Sequence, residues 1–247
     1  MNLRWDARLK VDASLHKRAC YILCALGISL VDLGGSVVVG GSVVGGGSLS
    51  RVDATSATVV RSLTNEERAA MVGVVWHPGC PVGLKDLRRV EGPVLGMDGA
   101  TYAGVLVVHK NLAVGVAGIL AELYQAKFPI ESMVPIESFG GDDDRSTMAN
   151  NSSAFNCRPV TGGHAFSEHA YGRAIDINPV QNPYVRSDGT VLDVNAKRFI
   201  DRAATAGQSG VITANGTVVR IFRSKGWRWG GLFKRTKDYQ HFSTSGS

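Results

Sequence analysis

Two short blocks constrain this chain more than any other feature: Ser167 to Asp176, which reads SEHAYGRAID, and Asp238 to Phe242, which reads DYQHF. In the first, His169 and Asp176 stand seven residues apart with Gly172 between them. A glycine there permits a sharp turn that brings the following strand back toward the histidine, so that both side chains meet at one point. Histidine and carboxylate are donor types of a zinc site, which in its catalytic form takes three protein ligands and leaves a position open for water. The second block supplies the third donor, His241, and leaves a carboxylate three positions earlier, Asp238, to accept a proton. A fold that satisfies this pattern returns the C-terminal end of the chain to residue 176.

Taken singly, each residue has an ordinary reading. A lone histidine sits in a core or on a surface, and a lone aspartate in a strand bonds a neighbouring backbone amide. Their joint spacing is what points to a metal. Other patterns drop out: HAFSEH at 164–169 has one residue too many for H-x-x-E-H, and both H-E-x-x-H and G-x-S-x-G are absent, which removes Ser167 as a nucleophile. Ser167 is instead expected to hold the loop or touch substrate, and His164 to line the groove as a loop residue. His77, beside Trp76 and Pro78, and His109, at a strand end, read as structural. Trp227 and Trp229 are expected to frame the substrate or, for at least one of them, to pack in the core.

The N-terminus reads as an export signal. Residues 1–18 are polar and end in His16-Lys17-Arg18, and Ala19 to Val31 is almost uniformly apolar. At ~1.5 Å per residue that apolar run covers only ~20 Å, short of a ~30 Å hydrocarbon core, so a spanning helix is the weaker reading. The organisation expected is a signal peptide or membrane anchor with a Gly/Ser/Val-rich tail over 1–50, a linker or extension over 51–74, and a catalytic domain over 75–247. Cys20 and Cys24 fall in the signal, which leaves Cys80 and Cys157 as an even pair and an expected disulfide. The rival reading of Cys157 as a nucleophile lacks any local activating group.

From about residue 62 the chain reads as mixed α and β. Tyr102 to His109 suits a buried strand, and Asn111 caps a helix through Lys127. Gly140 to Asn156 is too rich in turn formers for a regular element. Ala174 to Asn178 reads as a short strand and Val194 to Ala206 as a helix. Two more short strands are expected at Trp227 to Trp229 and around Gln240 to Phe242. The formal charge of +6 comes from scattered basic residues without a run of five, so nucleic acid is not an expected partner. The bias suits an anionic cell wall equally well.

The pattern Ser167-x-His169-x-x-Gly172-x-Ala174-x-Asp176, followed by Asp238-x-x-His241-Phe242, resembles the zinc metallopeptidase family of VanY-type D-alanyl-D-alanine carboxypeptidases and L-alanyl-D-glutamate endopeptidases. The segments Asn150 to Arg158, Asn178 to Tyr184 and Trp227 to Gly231 add to the likeness, which covers about residues 75–243. It implies an α+β fold of the hedgehog/DD-peptidase kind, a small antiparallel sheet flanked by helices with zinc in a groove on the sheet. It implies His169, Asp176 and His241 as Zn2+ ligands, Asp238 as general base and an upstream arginine at the oxyanion, with Arg158 the candidate and Arg145 its rival. The substrates implied are peptidoglycan stem peptides, cut by a monomeric enzyme secreted or held in the envelope of a bacterium, touching the membrane only through an uncleaved N-terminal segment. Asp rather than Glu at 238 tilts the reading toward an endopeptidase. Two rivals stand beside it: a catalytically silent, zinc-stabilised wall-binding module, and a zinc hydrolase of other amides.

Overall fold

The computed structural model describes residues 50–246 and, ahead of them, two dipeptides. The chain divides into two compact units, 1–45 and 46–247. In the first, β1 (Asp32–Leu33) pairs antiparallel with β2 (Ser36–Val37). The export signal and the cysteines at 20 and 24 lie outside the described residues. Among those residues, no helix is long and apolar enough to cross a membrane.

The second unit opens with β3 (Val59–Ser62) and α1 (Asn65–Met71), the helix started by a capping box between Thr64 and Glu67. β4 (Leu87–Leu95) and β5 (Thr101–His109) follow, and β3-β4-β5 form an antiparallel meander. Successive side chains of a strand point to opposite faces, and here both faces are covered. Leu106 and Val108 join Val90 and Val94 against α2 (Ala113–Gln125), whereas Val107 and Leu87 pack with Met71, Ile136 and Phe155 on the other side. Burial on both faces explains why β5 is an unbroken apolar run. The helix begins at Ala113 without a side-chain cap, so Asn111 does not cap it, and it stops at Gln125 because Lys127 takes a left-handed conformation.

Two further expectations of local structure are corrected. The polar stretch 140–156 contains α3 (Asp143–Met148), because Asp142 accepts a hydrogen bond from the Arg145 amide and Asp143 and Asp144 stand in the favourable first turn. The helix expected over 194–206 is a 3-10 turn, Val194–Phe199, followed by irregular turns. Asp201 stops it: its carboxylate accepts from the amides of Ala203 and Ala204, a local alternative to helical pairing.

The C-terminal half builds a second antiparallel sheet of β6 (Ala174–Asp176), β10 (His241–Ser243) and β8 (Arg228–Trp229), in the order β6-β10-β8. β7 (Tyr184–Val185) pairs separately with β9 (Lys237–Asp238). Between them, α4 (Thr217–Ser224) turns Val218, Val219, Ile221 and Phe222 into the larger core. Phe242 is fully buried and stacks on Phe222 with ring centroids 3.9 Å apart, which fixes the central strand of the small sheet. The architecture is thus mixed helix and small antiparallel sheets, α+β.

Candidate metal centre and active site

The small sheet sets the site by register. His241 lies directly opposite Asp176 and Phe242 opposite Ile175. Cross-strand partners share a face and neighbours along a strand alternate, so Ile175 and Phe242 enter the core while Asp176 and His241 together face the other way. His169 reaches the same place from a 3-10 turn, Glu168–Tyr171, whose start is capped by the Ser167 hydroxyl accepting from the His169 amide. Gly172 ends that turn at φ +63°, and a Cβ there would lie 2.6 Å from the His109 backbone nitrogen. Only glycine fits, both for the left-handed backbone and for the close approach of β5.

The three side chains are buried and their donor atoms meet. His169 Nε2 is 3.2 Å from Asp176 Oδ2, His241 Nδ1 is 3.1 Å from Asp176 Oδ1, and the two imidazole nitrogens are 3.3 Å apart. Bonds of ~2.0–2.1 Å to a tetrahedral ion place donors about 3.3 Å apart, so the spacing fits zinc. His169 Nδ1 bonds the Ala154 carbonyl, which puts the proton on Nδ1 and turns the Nε2 lone pair into the cluster. Burial alone would raise the Asp176 carboxyl, but His169 and His241 hold it well below the usual carboxylate range. The set is a preformed group of three donors that could hold a metal ion.

All three residues line one cavity of about 270 Å³ with Asp238, Arg158 and Ser167. Asp238 ends β9, opposite Tyr184. Gly230 packs against it so closely that an added Cβ would come within 2.7 Å of the Asp238 carbonyl oxygen. Asp238 Oδ1 is buried and has no hydrogen-bond partner among the described residues. Burial, opposed by His241 and helped by Asp176, pushes this carboxyl up to about 7. A carboxyl titrating near neutrality at the wall of a cavity suits proton transfer.

Arg158 follows the disulfide-bonded Cys157 and is held by Asp143 of α3, with Nη2 2.9 Å from Oδ2. Its Nε is buried and has no hydrogen-bond partner among the described residues. Arg145, on the same short helix as Asp143, is not among the residues lining the cavity, and neither is His164, which is exposed. Trp227 and Trp229 are both in the core, Trp229 donating to the Tyr239 carbonyl. Sequence reasoning missed Gln240, Tyr184 and Arg186 on the cavity wall. The first was visible as the neighbour of His241, but the other two arrive through the pairing of β7 with β9, which no local pattern announces.

The asparagine-rich segments around the blocks prove to be staples. Asn182 is fully buried, donates to the carbonyls of Ile177, Asn178 and Gly210, and accepts from the Ile212 amide and Arg202. Asn151 ties the loop after α3 to both Val134 backbone groups. Such satisfied polar side chains hold irregular backbone rigid where no ladder can.

No curated protein sequence and no solved structure matches the chain. Residues 161–244 match the family model of D-alanyl-D-alanine carboxypeptidase. That segment holds His169, Asp176, Asp238 and His241.

Proposed function

We propose that this protein is a zinc-dependent peptidase that hydrolyses peptidoglycan stem peptides outside the cytoplasmic membrane of a bacterium. The observation that carries the reading is a buried His169–Asp176–His241 triad, with donors 3.1 to 3.3 Å apart, in one cavity with a carboxyl poised near neutrality. Zinc held by these three would polarise the scissile carbonyl and make water acidic enough to ionise near neutral pH. The remaining steps belong to the chain. Asp238 accepts the proton of the attacking water and returns it to the leaving amine nitrogen. Arg158 balances the charge that grows on the carbonyl oxygen, and removal of such a donor typically costs ~3–4 kcal/mol in the transition state. His169 keeps its orientation through the Ala154 carbonyl. The hedgehog/DD-peptidase arrangement of sheet and groove, and a catalytic domain over 75–247, belong to this reading.

Two observations bear on the scissile bond. Arg186 on the cavity wall is a cation of the kind needed to hold a free terminal carboxylate, which supports removal of a terminal D-alanine. Asp238 at the base position resembles endopeptidases, which supports a cut within the stem. Muropeptides with complete pentapeptide stems, incubated with the purified chain with and without zinc and analysed by mass spectrometry, separate them. Loss of one alanine identifies a carboxypeptidase, and release of a longer peptide an endopeptidase. Absence of any product that depends on zinc and Asp238 identifies a silent wall-binding module instead.

A further inference from the structure

A second group of three soft or borderline donors lies away from the cavity. His77, Cys80 and Cys157 bring one ligand atom each to within 4.8 Å of one another, and the two sulfurs are joined as a disulfide. His77-Pro78-Gly79-Cys80 forms a tight turn in which the Cys80 amide donates to the His77 carbonyl at 3.1 Å and Gly79 takes φ +100°. The turn also aims the His77 amide at Cys80 Sγ, 3.2 Å away. An N–H pointed at a sulfur favours its thiolate form. Residues at positions one and four of such a turn have the two-residue spacing common in zinc ligand pairs.

The imidazole is oriented as a ligand. His77 Nδ1 lies 3.0 Å from the Pro78 carbonyl, which places the proton on Nδ1 and leaves the Nε2 lone pair facing Cys157 Sγ at 3.7 Å. In a tetrahedral ion with a Zn–N bond of ~2.0–2.1 Å and a Zn–S bond of ~2.3 Å, nitrogen and sulfur stand about 3.6 Å apart. That edge is already present. Cys157 is held from below by its own amide, which bonds the Val75 carbonyl at 3.0 Å, while His77 is exposed and leaves room for a solvent ligand.

We propose that His77, Cys80 and Cys157 form a second metal site, for a zinc-class divalent cation, in the reduced chain, and that the disulfide is its closed form. This does not rest on the peptidase reading. Reduction by a phosphine breaks the S–S bond. One oxygen of water passes to phosphorus, and its two hydrogens end on the sulfurs. Binding of the divalent ion then displaces those two protons, and two thiolates and a neutral imidazole leave the site without net charge.

The test uses the full chain with Cys20→Ser and Cys24→Ser, so that only Cys80 and Cys157 offer thiols. The phosphine-reduced chain and the oxidised chain are titrated with Co2+ and followed by absorption. A thiolate-to-cobalt charge-transfer band, with one more equivalent of metal bound than by the oxidised chain, is the expected result. The His169–Asp176–His241 triad contains no sulfur and cannot produce that band. His77→Ala, on an exposed turn, should weaken the sulfur-linked binding by at least ~100-fold while leaving the disulfide able to form. Equal metal content in the reduced and oxidised chains, or a band indifferent to His77, overturns the proposal.

Discussion

The two donor clusters of this chain are built on opposite principles. His169, Asp176 and His241 are buried, and two of them are locked by strand register with Phe242 stacked on Phe222 beneath. His77 and Cys80 share a surface turn, from which Cys80 reaches Cys157 through a disulfide and His77 through its Nε2, 3.7 Å from the Cys157 sulfur. The first cluster has its geometry before any ion arrives, because apolar packing on the far side of the sheet holds it. The second has one edge of its geometry and needs a covalent bond to break before the rest can form. A preformed site costs the ion little reorganisation and suits turnover, whereas a site that exists in one oxidation state suits structure or sensing.

The sharpest way to break this contrast is to remove one donor from each cluster. Asp176→Ala should lower hydrolysis of muropeptides by more than ~10³-fold and strip zinc from the purified chain, since even outer residues of metal sites cost ~10–100-fold. His77→Ala should leave product formation within about two-fold of the parent, a surface change away from the chemistry. Metal content by mass spectrometry and initial rates by chromatography decide both. Comparable losses in the two variants would mean that the clusters are one functional system.

Asp238→Asn separates binding from proton transfer within the first cluster. Zinc content should be retained, while kcat falls by ~10²–10⁴-fold because the amide cannot accept the proton. Loss of zinc together with activity would make Asp238 a ligand instead of a base. A fourth variant, Phe242→Ala, attacks the support. It empties a fully buried ring position and should cost about 3 kcal/mol in urea unfolding of the metal-free chain. It should also weaken zinc binding, because His241 is carried on the same strand.

The same division explains what could be read in advance. His169, Gly172 and Asp176 are close in sequence, so their turn and shared direction follow from local geometry, and Asp238 and His241 are likewise neighbours. What joins the two blocks is the register of β6 against β10, a contact across 65 residues for the His241–Asp176 pair that depends on Ile175 and Phe242 finding the core. β4 was missed because its sequence, LRRVEGPVL, mixes charges and a proline into a buried strand. The structure pays for those charges locally: Arg89 and Arg61 both meet Glu91 and Glu67 at the sheet edge. Short α4, only eight residues long, and short α3, nucleated by Asp142, fell below the length at which helical periodicity speaks. The choice of Arg158 over Arg145 rested on nothing local, since Arg158 is brought to the cavity by backbone hydrogen bonds across the fold, the Asn156 amide to the His169 carbonyl and the Ser167 amide to the Arg158 carbonyl.

The smallest effect is a gain. Asp238 has a folded value of about 7 against an ordinary carboxylate value near 3.8. Between those values the folded chain keeps a proton that the unfolded chain has released, so stability falls as pH rises from about 4 to about 7 and stays lower above that. Asp238→Asn removes the titration. At pH 8 the metal-free variant should therefore be more stable than the parent by roughly 1–3 kcal/mol, a conservative reading of the ~1.4 kcal/mol that each pH unit of displacement represents. At pH 4 the two should coincide within about 0.5 kcal/mol, because both then carry an uncharged group at 238. Thermal or urea unfolding at the two pH values measures the difference of differences. A gain at pH 8 together with lost activity would show a charge kept buried for chemistry at the expense of the fold, and zinc, by attracting that charge, should shrink the gain in the loaded protein. An equal stability of variant and parent at both pH values would mean that water or an ion already solvates Asp238, and the case for it as a base poised near neutrality would lose its physical ground.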